Sequence, residues 1–175
     1  MADDPLRKAA SDLLDLCRSR GLKLATAESC TGGLVAAALT EIPGSSHVVD
    51  RGFVTYSNDA KQAMLGVPEA TLKTYGAVSR QTAEAMVKGA LAHAQADLAV
   101  AITGIAGPGG GSAEKPVGLV HIAAASRDGR LEHRERRYGD LGRGEVRRRA
   151  VLDALTLLSE MAARATPRVQ ADRRA

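Results

Sequence analysis

Two segments of this sequence carry residues able to do chemistry on a bound ligand. In the first, Glu28-Ser29-Cys30-Thr31-Gly32-Gly33 interrupts a short apolar run and precedes an alanine-rich one. A serine at such a strand-to-helix turn can project its hydroxyl beyond a sheet, with helix-start N–H groups nearby to meet a developing negative charge. That is the logic of a nucleophile elbow, although Gly-x-Ser-x-Gly is absent because Ala27 and Thr31 flank the serine. The plainer alternative is a helix N-cap. Cys30 is intrinsically more nucleophilic, but adjacent side chains point in different directions, so only one should face a ligand, and the serine is preferred. The second segment runs from Thr103 through Gly104-Ile105-Ala106-Gly107-Pro108-Gly109-Gly110-Gly111 to Ser112. Glycines there would let a ligand approach the backbone closely; a flexible loop without chemistry is the competing reading.

Familiar glycine motifs do not fit. Neither stretch ends in the Gly-Lys-Ser/Thr of a phosphate-binding Walker loop. A dinucleotide fingerprint starting at Gly107 would need glycine where Ser112 stands. Ser112-Ala113-Glu114-Lys115 spells a Ser-x-x-Lys motif, but it lies among glycines and before Pro116 rather than on a helical turn. A serine nucleophile also needs a base. His47 in a loop and His121 on a strand remain candidates, and Lys61 opens a helix directly after the strand ending near Tyr56, at the same sheet edge as Ser29. A lysine can serve only if desolvation or a nearby positive charge brings its pKa toward neutrality; otherwise Lys61 is a surface helix residue. No zinc-type Cys or His spacing and no Asp-rich calcium loop is present, so no metal is expected.

The elements that must position these groups follow from hydrophobic periodicity and turn residues. Helices are expected over residues 4–20, 34–41, 59–65, 68–76, 79–94 and 145–163, the first ending before Gly21 and the third capped by Ser57 or Asn58. Strands are expected over 22–27, 48–56 with Gly52 a candidate bulge, and 97–103. Residues 117–126 and 131–138 read as a hairpin through Asp128-Gly129. Alternating strands and helices followed by a strand pair predict a three-layer α/β/α sandwich around a mixed, mostly parallel sheet. In such sheets ligands collect beyond the carboxyl ends of the strands, where both chemistry-bearing segments fall.

With 175 residues the chain suits one domain, expected over residues 1–165, and the arginine-rich tail 166–175 is expected to fray. No apolar run approaches the roughly 20 residues that cross a bilayer, and the acidic start differs from a secretory signal, so a cytoplasmic protein is expected. In that compartment Cys17 and Cys30 should be reduced, and Cys17 shares the apolar stripe of Leu6, Ala10, Leu13 and Leu14. The net charge of +4 is uneven: residues 127–149 alone hold nine arginines against five acids. Such a stripe could meet nucleic-acid phosphates, but only four aromatics (Phe53, Tyr56, Tyr75, Tyr138) are available as stacking platforms, which argues for a solvated face or a local anion site.

Four ordered motifs then carry a resemblance: Thr26-Ala27-Glu28-Ser29-Cys30-Thr31-Gly32-Gly33; Gly52-Phe53-Val54-Thr55-Tyr56-Ser57-Asn58 with Lys61; Gly76-Ala77-Val78-Ser79; and Ala101-Ile102-Thr103-Gly104-Ile105-Ala106-Gly107-Pro108-Gly109-Gly110. Over roughly residues 6–163 the sequence resembles the CinA C-terminal domain family, whose characterised members are nicotinamide-nucleotide amidohydrolases. The resemblance implies an α/β/α sandwich with a five-stranded sheet and hydrolysis of the carboxamide of nicotinamide mononucleotide to nicotinate mononucleotide and ammonia, without a nicotinamide dinucleotide cofactor or a metal. It implies Ser29 as nucleophile, Lys61 as its activator, and Tyr56 and Thr103 beside them. Cys30, Thr31, Gly32, Gly33, Gly104, Ala106, Gly107, Gly109 and Arg143 become the substrate-binding set. Arg143 and Arg147 align with a family Gly-Asp-Arg-x-x-Val-Arg segment, from which Leu141-Gly142-Arg143 departs, with Gly139-Asp140 lying two residues earlier. The likeness begins almost at Met1, so the second, N-terminal domain of many relatives is not expected, and a homodimer is compatible with the family. Two other classes stay open: a nucleotide-sensing module that binds without turnover, and a nucleic-acid binder using the 127–149 stripe.

Overall fold

A computed structural model describes residues 4–167. Along the chain come α1 (Pro5–Arg20), β1 (Leu24–Glu28), α2 (Leu34–Thr40), β2 (Val49–Val54), α3 (Asn58–Leu65), α4 (Glu69–Tyr75), α5 (Arg80–Ala92), β3 (Leu98–Gly104), β4 (Leu119–Ser126), β5 (Leu131–Arg137) and α6 (Arg143–Arg164), with a short 3₁₀ turn at Ser45–His47. The five strands form one sheet in the order β2-β1-β3-β4-β5. β1 pairs in parallel with both β2 and β3, and β3-β4 and β4-β5 are antiparallel. The expected mixed α/β sandwich is therefore the fold. Of the tail expected to fray, residues 168–175 lie outside the described residues.

Side-chain size differs between the two faces of the sheet. Leu24, Leu98, Val100, Ile102, Val120 and Ile122 pack against α1, α2 and α6. The alternate residues, Ala25, Ala27, Ala99, Ala101, Ala123 and Ala125, face α5. Period-two alternation thus places the bulky residues in one layer, while alanines let α5 come close in the other. Cys17 is fully buried in the first layer with Ala10, Leu13 and Leu14, and both cysteines are free thiols.

Two local expectations are corrected. The irregularity in β2 is not at Gly52: the register slips between Leu24 and Ala25, which face Val49 and Arg51, so Asp50 is the extra residue. Asp50 is drawn out to accept the Gln95 N–H and an Arg51 N–H, at 2.9 and 2.7 Å. Gly52 is glycine because a Cβ there would lie 2.7 Å from Thr26 Oγ1. The last helix begins at Arg143 rather than at Glu145, which puts Arg143 in its first turn.

The arginine stripe is internally engaged. Arg130 pairs with Asp128, Arg134 with Glu160, Arg136 with Asp153, Arg137 with Glu135, Arg148 with Asp4 and Arg149 with Glu145. Arg127 donates to the carbonyls of Leu91, Ala94 and Ala96 at the end of α5. Little of this charge is left to form an extended phosphate-tracking surface. Among the described residues no helix is long and apolar enough to cross a membrane.

Candidate active site

From β1 the chain passes through α2 to β2 on one flank, then crosses to β3 on the other. A crevice opens where the connections diverge, beyond the carboxyl ends of these parallel strands. A cleft of about 280 Å³ occupies it, lined by Ser29, Cys30, Tyr56, Lys61, residues 77–78, Thr103, the loop 104–107, Gly109, Gly110 and Arg143. Four of the elements named above converge on it: the turn after β1, α3, the loop after β3 and the start of α6.

The strand β1 delivers Ser29 by ending at Glu28, and the Ser29 N–H continues the ladder by donating to the Ile102 carbonyl at 2.9 Å. Lys61 arrives from α3, which Ser57 caps by accepting the Ala60 N–H at 3.0 Å. Its Nζ lies 3.0 Å from Ser29 Oγ and donates to the Thr55 carbonyl at 2.8 Å. The side chain is only 1% exposed. Desolvation holds its pKa below the usual lysine value, the direction a proton acceptor needs. Neutral Lys61 can keep its bond to Thr55 and still offer a lone pair to the serine hydroxyl. Because Ser29 donates its own N–H to Ile102, any oxyanion formed there must be met by other N–H groups.

Cys30, one residue on, belongs to the apolar layer under α6, and burial pushes its thiol up to about 12. The adjacent side chains do diverge, and the serine faces the lysine. Thr103 Oγ1 donates to the Ala77 carbonyl at 2.7 Å and ties the end of β3 to the segment before α5. Arg143 spans the cleft mouth, donating to the Gly107 carbonyl at 2.9 Å and to the Tyr56 hydroxyl at 2.8 Å. No carboxylate lies in the cleft lining, and Arg143 has no acidic partner among the described residues. In the loop, Gly104 is dictated by packing, since a Cβ would sit 2.7 Å from Val120 Cγ2 and 2.8 Å from the Leu119 carbonyl. Gly107 has φ 86° and Val117 against it.

Of the residues singled out in the sequence, Ser29, Cys30, Tyr56, Lys61, Thr103, Gly104, Ala106, Gly107, Gly109 and Arg143 come together here. Thr31, Gly32 and Gly33 are not in the lining: Thr31 is buried with its hydroxyl on Glu28, and Gly32 faces solvent. Neither histidine candidate reaches Ser29. His47 is exposed on the 3₁₀ turn, and His121 Nδ1 is 2.9 Å from His133 Nε2, where burial and that neighbour push His121 down to about 4. Two residues that hold the turn in place were given no such role from the sequence. Glu28 lies under it and accepts from Thr31, Val35 and Ala36. Arg147 donates to the carbonyls of Cys30 and Thr31 at 3.1 and 3.3 Å. The available signal was an acidic residue just after the expected strand, six positions before a helix whose N-cap, Gly33, has no side chain.

Comparison with known proteins places this geometry among relatives. The sequence matches the CinA C-terminal domain over residues 6–162. It is 50% identical over 159 residues to the Escherichia coli protein named nicotinamide-nucleotide amidohydrolase PncC, covering 90% of this chain and 95% of that one. It is 56% identical over 116 residues to a putative competence-damage inducible protein of Caldicellulosiruptor bescii, 66% of this chain, but spans only 28% of that relative's length. The crystal structure of the competence/damage inducible protein CihA from Agrobacterium tumefaciens superposes with a TM-score of 0.90 at 58% identity, over 91% of this chain and 96% of the other.

Proposed function

The chain belongs to the CinA C-terminal domain family, and from that premise we propose that it is a nicotinamide-nucleotide amidohydrolase using Ser29 as nucleophile and Lys61 as base. The observation that carries this reading is the 3.0 Å approach of a buried lysine amine to a serine hydroxyl inside an acid-free cleft. The substrate class comes from the name of the Escherichia coli relative. Neutral Lys61 takes the Ser29 proton as Oγ attacks the carboxamide carbon. The oxyanion of the tetrahedral intermediate is met by N–H groups of the loop 104–110, each such donor being worth roughly 3–4 kcal/mol. Lys61 returns its proton to the amide nitrogen, ammonia leaves, and a nicotinoyl ester of Ser29 remains. Water then attacks the ester and gives a proton to Lys61, which passes it to the departing Ser29 Oγ, freeing the acid and restoring the serine and the neutral amine. The pyridinium ring withdraws electrons from the amide, and its positive charge beside Nζ favours the neutral amine. No cofactor or metal enters these steps.

Incubating the purified protein with nicotinamide mononucleotide should release ammonia and nicotinate mononucleotide, identified by mass. Because Lys61 acts in its neutral form and its pKa is lowered, the rate should rise with pH, with an inflection below 10.5. Binding of the mononucleotide by calorimetry without product would instead support a sensing module. Neither binding nor product refutes the reading.

Arg143 is the proposed phosphate seat, because neutral oxygens hold its guanidinium at the cleft and leave its charge uncompensated. Arg143→Ala should raise KM for the mononucleotide by about 10–100-fold, as expected for loss of a charge-assisted pair, while leaving KM for the phosphate-free riboside nearly unchanged. An equal rise for both substrates would remove Arg143 from phosphate recognition.

A further inference from the structure

The turn that presents Ser29 rests on a buried acid whose position calls for a reason. Glu28 is 1% exposed, and among the described residues no cation pairs with it. Its two oxygens accept from the Thr31 hydroxyl at 2.7 Å, the Val35 N–H at 2.8 Å and the Ala36 N–H at 3.1 Å. A helix start needs no such device, since serine, threonine, aspartate or asparagine at the N-cap satisfies the first N–H groups from the surface. Here the N-cap is Gly33, and the acceptors come from the last residue of β1. A buried carboxylate is costly unless fully hydrogen-bonded, and this one bonds to both ends of the turn that leads from Ser29 into α2.

We infer that Glu28 is a positioning residue for Ser29: from beneath the turn, its hydrogen bonds to Thr31 and to the start of α2 fix the backbone that aims Oγ at Lys61. Strand pairing holds the upstream side, through the Ser29 N–H on Ile102. Glu28 ties the downstream side to that same strand end. Arg147 grips the outer side through the carbonyls of Cys30 and Thr31. Glu28 does not line the cleft. Its removal therefore acts on alignment and leaves ligand contacts in place. The inference rests on the amidohydrolase reading only in taking Ser29 as a nucleophile.

The test compares wild type, Glu28→Gln and Thr31→Val in two assays: ammonia release from nicotinamide mononucleotide, and covalent labelling of Ser29 by a fluorophosphonate, which needs no substrate recognition. Glutamine keeps the volume but has one acceptor oxygen where Glu28 uses two, and its NH₂ faces an N–H donor. Valine removes only the hydroxyl bond and so keeps the test alive if the glutamine variant does not fold. At temperatures where each variant is fully folded, Glu28→Gln should lower kcat about 100-fold, the scale of an ångström-level misplacement, with KM within about threefold. Labelling should slow in parallel, and the pH inflection should stay put because Lys61 is untouched. Thr31→Val should show the same split at about tenfold. A lowered melting temperature with unchanged kcat and labelling rate would make Glu28 merely structural and overturn the inference. Labelling of wild type without ammonia release would refute the amidohydrolase reading alone, the labelling rates still deciding on Glu28. A wild-type Ser29 that neither labels nor turns over would overturn both.

Discussion

Replacing Ser29 by alanine is expected to cut ammonia release from nicotinamide mononucleotide by about 10⁴-fold or more, and replacing Lys61 by methionine by a similar factor. The double variant should be no slower than either single one, because the proposed nucleophile and base would act as a unit and losses within such a unit do not add. Steady-state rates on the three variants check this. A Lys61→Met enzyme retaining a tenth of the wild-type rate would remove the lysine from the mechanism. The same substitution should also stabilise the fold. Lys61 lies beneath the surface, and among the described residues its Nζ bonds only to the neutral oxygens of Ser29 and Thr55, so its protonated form is poorly accommodated in the folded state. Its folded pKa lies below the unfolded value of 10.5. Between those two values the unfolded chain holds a proton that the folded one lacks, so stability rises with pH across that window. The melting temperature of Lys61→Met should therefore exceed that of wild type most at low pH, with the gap narrowing toward pH 10.5. Gain of stability with loss of rate is the signature of a residue kept for chemistry.

The parts of the site legible in the sequence were those that a local pattern announces. Ser29 follows an apolar strand and precedes a helix, and Lys61 follows a cap, so both fall at one sheet edge once the alternation is recognised. The glycine loop falls there because β3 must end where polar and glycine residues begin. What escaped depends on contacts between elements distant in sequence. Glu28 reads from the sequence only as the first residue of the turn, and only the packing of α2 against β1 gives its carboxylate a task. Arg147 lies 116 residues from Thr31 and could not be assigned to its turn by spacing. The arginines of the hairpin and of α6 read as a charged stripe because their partners, Asp4, Asp153 and Glu160 among them, are brought in by the fold. The slip at Asp50 was misassigned to Gly52 because a glycine within a strand suggests a bulge as readily as a close approach. Here it marked an approach, to Thr26.

Gly89→Ala should be a damaging conservative substitution outside the cleft, through the interface that places Lys61. Gly89 lies within α5, where alanine would ordinarily gain about 1 kcal/mol in helix propensity. A Cβ there would stand 2.0 Å from the Leu65 carbonyl oxygen and 2.8 Å from its carbon, backbone atoms that no rotamer change can withdraw. The two helices must separate, and overpacking of this kind costs about 1–3 kcal/mol, more where backbone has to move. With the propensity gain offset, a net loss of about 2 kcal/mol would lower the melting temperature by roughly 4–8 °C in a chain of this size. The activity should fall as well. Leu65 is the last residue of α3 and Lys61 lies one turn before it on the same helix. A shift that frees Leu65 from α5 therefore carries Nζ away from Ser29, and an ångström there is worth about 100-fold in rate. Gly144→Ala provides the contrast: its Cβ meets nothing within 4 Å near the start of α6, so that variant should melt slightly higher. Thermal melts and ammonia-release rates on the two variants separate the cases. A Gly89→Ala protein with wild-type melting and turnover would mean that the seat of α3 on α5 is looser than its backbone contact implies, and that Lys61, the proposed base, is held by its own hydrogen bonds alone.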